Sequence, residues 1–214
     1  MDERRVMEIG VAVAVGHAGR EDWMVARVEM LSVDQAKAVA RECGIRESMA
    51  SLSVYRTLLR HPQLAAAVNH LLTTLLFTGN KLDVRLRELL IMRIGWITGA
   101  KYEWTQHWHF AARVGLPPED VLAVRDWRSS TRLGAADRAV LAAVDDTLGH
   151  GKISDSVWAE CVRHVGSSEQ MLEMVIAIGN WNMFAQLLRS LEIPLEEGVK
   201  GWPPDGKIPE GGDA

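Results

Sequence analysis

Two helical runs divided by a single glycine constrain this chain more than any other feature. Leu82, Leu86, Leu89, Leu90, Arg93, Ile94 and Ile97 recur at the 3.6-residue period, and Gly99 then supplies a stop. Lys101 to Val114 forms the next run, closed by Gly115. So short a connection between two helices predicts an antiparallel pair, 82–98 against 101–114, at the centre of the fold.

The remaining punctuation is helical as well. Ser32 caps a helix over 32–43 that Gly44 ends, and a second runs from Ser51 to Leu59. Proline suits a first turn, so Pro62 restarts the chain as a helix that ends at Gly79-Asn80. Leu116-Pro117-Pro118-Glu119-Asp120 opens a short helix reaching about Trp127, and a polar loop, 128–134, follows. Helices are then expected over 135–148, from Ser154 to about His164, and from Ser167 or Ser168 to Leu191. The last carries a stripe of Leu172, Val175, Ile176, Gly179, Met183, Leu187 and Leu191. The Val11–Val15 run reads as a short strand or a buried arm. No alternating strand pattern follows residue 20, and no glycine-rich phosphate loop is present, which disfavours nucleotide-binding α/β folds.

Composition bounds the partners. The chain has 214 residues, 48% hydrophobic and 24% charged, with a net charge of −4. That balance suits a globular protein and points to neither nucleic acid nor an anionic membrane. No run nears the roughly 20 apolar residues that span a bilayer. The two cysteines, Cys43 and Cys161, form no CxxC and no disulfide framework. A reducing, cytoplasmic setting is the simplest expectation. The 17 residues from Gly198 hold five glycines and three prolines, and predict a flexible tail.

Chemistry concentrates on the central pair. Glu88 sits in an apolar helix, where a carboxylate needs a partner or solvent. Glu103 and His107 lie at i and i+4 on one face, with Tyr102 at the helix start and Trp104 and Trp108 available to wall a pocket. The bland readings are an interface ion pair for Glu88, a core imidazole for His107, a surface pair for Glu103 with His107, and structural roles for the tryptophans. His107 and His109 are two apart on a helix and point apart, so no metal site is expected.

The stretch LDVRLRELLIMRIGWITGAKYEWTQHWHFAARVGL resembles the signature of the carboxymuconolactone decarboxylase family, which includes the AhpD alkylhydroperoxidases. The resemblance is firm over about residues 51–127. It implies an all-α, AhpD-like helical bundle that assembles as a trimer or hexamer. A weaker echo covers 135–198, and residues 1–50 carry no resemblance. The expected organisation is an N-terminal arm or helical extension over 1–50, a helical domain over 51–197 and a flexible tail over 198–214. AhpD members place a glutamate before a CxxC, then a histidine four residues after the second cysteine. Here the glutamate matches Glu88 and the histidine His107, while the cysteine positions fall on Ala100 and Glu103. Without thiols at those positions the AhpD redox cycle cannot run there. The resemblance instead implies a cofactor-free lyase acting by acid–base catalysis on a small carboxylated or lactone-like substrate. Glu88, His107, Glu103 and Tyr102 are then the catalytic candidates, and Arg85, Arg93 and Trp104 the substrate-binding ones. The alternatives are a non-catalytic oligomeric scaffold and a peroxidase using Cys43 or Cys161.

Overall fold

The computed structural model describes residues 26–213. Among them there is no strand, and nine α-helices are joined by turns and two 3₁₀ segments. The Val11–Val15 run lies outside the described residues. No helix among those described is long and apolar enough to cross a membrane. The chain divides into two compact units, one running through Thr73 and resuming over Leu191–Val199, the other holding Thr74–Ser190 and Lys200 onward.

In the first unit, α1 (Val33–Glu42) begins at a reciprocal cap: Ser32 Oγ accepts from Gln35 N–H at 3.2 Å, and Gln35 Oε1 accepts from Ser32 N–H at 3.0 Å. Helix α2 (Ser53–Leu58) buries Tyr55, whose hydroxyl donates to Asn69 Oδ1 at 2.9 Å. Asn69 lies on α3 (Pro62–Leu76), which starts at the proline as expected and ends in the second unit. The segment after the last helix returns here, and Glu196 accepts from Ser53 N–H at 2.9 Å.

In the second unit the middle helix is α4 (Val84–Thr98). Asp83 caps it, accepting from Arg85 N–H at 2.8 Å. Leu89, Leu90, Ile91, Met92 and Ile94 are all fully buried, so the middle of α4 is enclosed by its neighbours, while Val84 and Ile97 near its ends stay exposed. It packs against α5 (Lys101–Arg113), α7 (Ala135–His150) and α9 (Ser168–Ser190), and α8 (Asp155–His164) lies on α7. The short α6 (Pro118–Leu122) follows α5. The central antiparallel pair is therefore α4 and α5, with boundaries close to those read from periodicity. Gly99 makes the bend: its φ of 70° is left-handed, and a Cβ there would stand 2.5 Å from Gly212 Cα.

Two expectations are corrected. The C-terminal segment is not a loose arm. Trp202 is buried, Trp104 Nε1 donates to the Pro203 carbonyl at 2.8 Å, and Trp202 Nε1 donates to the Asp213 carbonyl at 2.8 Å. Arg125 grips Asp205 through both oxygens at 2.8 and 3.0 Å while stacking over Trp96 and Trp104. Glycine and proline composition suggested mobility, but the tryptophan and the charged side chains between them anchor the segment. The stripe read along the last helix is likewise not its buried side. Leu172 is 65% exposed, and Val175, Ile176, Gly179 and Met183 lie on the same outer face. Met171, Met174, Ala177, Ile178, Trp181 and Leu188 face the core instead. Helix α9 carries apolar residues on both its inner and outer faces, so periodicity could not select the inner side.

Candidate active site

The bend at Gly99 lays α5 back along α4 and brings His107 opposite Glu88. Glu88 has no exposed surface, and its Oε2 lies 2.8 Å from His107 Nδ1. Its Oε1 accepts from Arg87 Nε at 3.2 Å, and Arg87 Nη1 donates to the Leu75 carbonyl at 3.1 Å. A buried carboxylate survives in such a place only with a cation and hydrogen-bond donors around it, and Glu88 has both.

The far side of the imidazole is also occupied. Trp181 Nε1 donates to His107 Nε2 at 3.0 Å, and the two rings meet edge to face with centroids 5.7 Å apart. Indole N–H only donates, so Nε2 must accept. The proton of the neutral ring then resides on Nδ1, where it is donated to Glu88. The result is a continuous line, Arg87–Glu88–His107–Trp181. His107 keeps 15% of its side chain exposed, so the line reaches the surface at the imidazole.

Glu103 differs in kind. It lies one helical turn before His107 on the same face of α5 and is buried, yet neither carboxyl oxygen has a partner. Burial pushes its carboxyl well above the usual carboxylate range, which favours the neutral acid over the carboxylate. A neutral carboxyl can donate a hydrogen bond or a proton, which an ionised one cannot. Asn180, next to Trp181 in the chain, is also buried with both amide atoms unpartnered. Tyr102 is buried at the start of α5.

The proposed substrate-binding residues do not join this cluster. Arg85 is committed to Asp137, at 3.0 Å through two nitrogens, and to Asp120 at 2.8 Å. Arg93 clamps Asp145 at 2.8 and 3.2 Å and donates to the Val124 and Arg125 carbonyls. Both guanidiniums tie α4 to neighbouring segments. Trp104 is fully buried, packed against Trp96 and Trp202. His109 is exposed, pointing away from His107 as the two-residue spacing predicts. Cys161 is fully buried, and burial pushes its thiol up to about 11.

Sequence reasoning placed Trp181 on the closing helix but gave it no partner in the site. One rule could have found it, since a buried tryptophan needs an acceptor and His107 is an imidazole on a facing helix. Nothing in the chain marks Arg87 as the partner of its own neighbour Glu88, because adjacent helix positions rarely face each other.

Residues 62–146 match the family model described as carboxymuconolactone decarboxylase family. No curated protein matches the chain. Several solved structures do. An alkylhydroperoxidase AhpD core, an uncharacterized peroxidase-related protein from Ralstonia eutropha JMP134, is similar with a TM-score of 0.67 at 11% identity, over 83% of this chain and 95% of that one. An uncharacterized peroxidase-related protein from Silicibacter sp. TM1040 gives 0.65 at 14% identity, over 86% and 97%. A form of the debrominase Bmp8 in complex with 2,3,4-tribromopyrrole gives 0.63 at 20% identity, over 82% and 95%. At such identities the likeness establishes the fold, not the activity.

Proposed function

We propose, for a chain that belongs to the carboxymuconolactone decarboxylase/AhpD-like superfamily, a cofactor-free lyase activity on a small carboxylated or lactone-like ring. The observation that carries this reading is Glu103: a buried, unpartnered carboxyl, favoured in its neutral form by that burial, one turn before an imidazole held by Glu88. In such a reaction the bond to the departing carboxylate breaks and CO2 leaves. Its electron pair delocalises toward a ring carbonyl, and a proton is then delivered to carbon. The neutral acid of Glu103 first donates a hydrogen bond to the developing oxyanion and then supplies that proton, to be reprotonated from solvent. A carboxylate at this position would repel an anionic substrate, so its neutral state is central to the reading. Arg85 and Arg93 are engaged elsewhere, so substrate orientation falls to the site's neutral polar groups.

Incubation with 4-carboxymuconolactone, with CO2 release followed, tests the activity. Turnover by the wild type that falls at least about 100-fold in Glu103→Gln supports it. The absence of turnover in the wild type refutes it for this substrate.

A second reading, a non-catalytic oligomer on the same fold, draws on the Trp181–His107 bond, which occupies the imidazole nitrogen that Glu88 leaves open. Peroxidase chemistry has less support, because the buried Cys161 thiol is far from forming a thiolate at neutral pH. Under either of the first two readings the chain assembles with copies of itself. The outer face of α9 supports that, because Leu172, Val175, Ile176 and Met183 leave an apolar band in water.

A further inference from the structure

We infer that Trp181 is the positioning and gating residue of this site: its indole holds His107 in the Nδ1–H form and covers Nε2, so a proton or ligand reaches that nitrogen only by displacing the indole. The inference rests on reading the cluster as an acid–base site, and it adds how that site is kept closed.

An imidazole has two nitrogens, and in the neutral ring one donates while the other accepts. Glu88 is buried beside Arg87, and its Oε2 faces His107 Nδ1 at 2.8 Å. Trp181 offers only a donor, aimed at Nε2 from 3.0 Å. Either contact alone would favour the Nδ1–H tautomer, and together they leave no alternative that satisfies both partners. Trp181 is itself nearly fully buried, and His107 Nε2 is the acceptor its indole N–H uses. Moving the ring away therefore strands a buried donor, and this resists casual opening. The gate is nonetheless within reach of solvent, because His107 is partly exposed.

This arrangement divides the labour of the cluster. His107 has no uncommitted nitrogen at rest, whereas Glu103 has both oxygens free of protein partners. The group prepared to give a proton is thus Glu103. His107 joins the work only when a bound molecule displaces Trp181 and takes its place on Nε2. Protonating Nε2 must break the indole bond for the same reason. The ionisable groups around the imidazole are Glu88 and, behind it, Arg87 from α4, and Glu103 one turn earlier on α5. Helix α9 contributes the uncharged Trp181.

Long-range 1H–15N NMR of the full-length protein, with labelled histidine and tryptophan, tests this without needing a substrate. The expected spectrum at neutral pH shows His107 with a protonated Nδ1 and an unprotonated Nε2. The Trp181 indole nitrogen should show a through-hydrogen-bond coupling to His107 Nε2. Replacing Trp181 by 3-benzothienylalanine keeps the bicyclic shape and removes the N–H. The Nε2 resonance should then move to the position of an uncommitted imidazole nitrogen while Nδ1 stays protonated. Trp181→Phe provides a second variant should the first fail to fold. A resting His107 protonated on Nε2, an indole nitrogen with no coupling to Nε2, or an Nε2 resonance unchanged in both variants would overturn the inference. Loss of the lyase reading appears separately, as absent CO2 release with these spectra intact.

Discussion

Glu88 and His107 stand 19 positions apart in the chain and meet at 2.8 Å, because Gly99 turns α5 back along α4. The carboxylate is shared between that imidazole and the guanidinium of its own neighbour, Arg87. Much of the central unit's stability therefore rests on one buried acid.

Glu88→Gln keeps the shape and removes the charge. Arg87 then stays buried without its counterion, so the folded state should lose about 3–5 kcal/mol. Urea denaturation of the two proteins measures the difference. A loss below about 1 kcal/mol would show that Arg87 does not depend on this acid.

Glu103 should give stability a pH dependence of unusual sign. Burial raises its carboxyl above the ordinary value of 4.5, so the folded chain holds a proton that the unfolded chain releases. Its contribution is complete below that value and declines as pH climbs, until the folded group itself ionises. The slope approaches about 1.4 kcal/mol per pH unit for one proton. Denaturation midpoints across pH 4 to 8 should fall for the wild type relative to Glu103→Gln, whose amide cannot ionise. Parallel curves for the two proteins would mean that Glu103 is already charged when folded.

The outer face of α9 should hold the assembly together. Leu172→Glu combined with Ile176→Glu places two charges in the apolar band without touching the core-facing side of the helix. Light scattering should find a multimer for the wild type and a monomer for the double variant, with circular dichroism unchanged. A monomeric wild type would remove the proposal of self-assembly.

The C-terminal segment should act as part of the core. Trp202→Ala opens a hole beside Trp96 and Trp104, at an expected cost of about 3–5 kcal/mol. Limited proteolysis should cut the variant after Val199 and spare the wild type. Equal resistance in both would mean that Arg125–Asp205 anchors the segment without the tryptophan.

Local signals determined the helix boundaries. Ser32, Asp83, Pro62, Gly99 and Gly115 act through nearby backbone, capping, starting or stopping helices whatever lies beyond, so the antiparallel α4–α5 pair was legible in the chain itself. That Glu88 and His107 share a site was implied by the family resemblance, and the structure sets the two side chains 2.8 Å apart. Distant neighbours decided the rest. Arg85 and Arg93 carry no mark in the sequence to say that aspartates on later helices will consume them. With apolar residues on both faces, α9 cannot declare its inner one, and a glycine-rich tail cannot announce that Trp202 will be buried. Whether a polar side chain is spent or free depends on what the whole fold brings within hydrogen-bond distance. For that reason only the tertiary structure revealed Trp181 on His107 and left Glu103 without a partner.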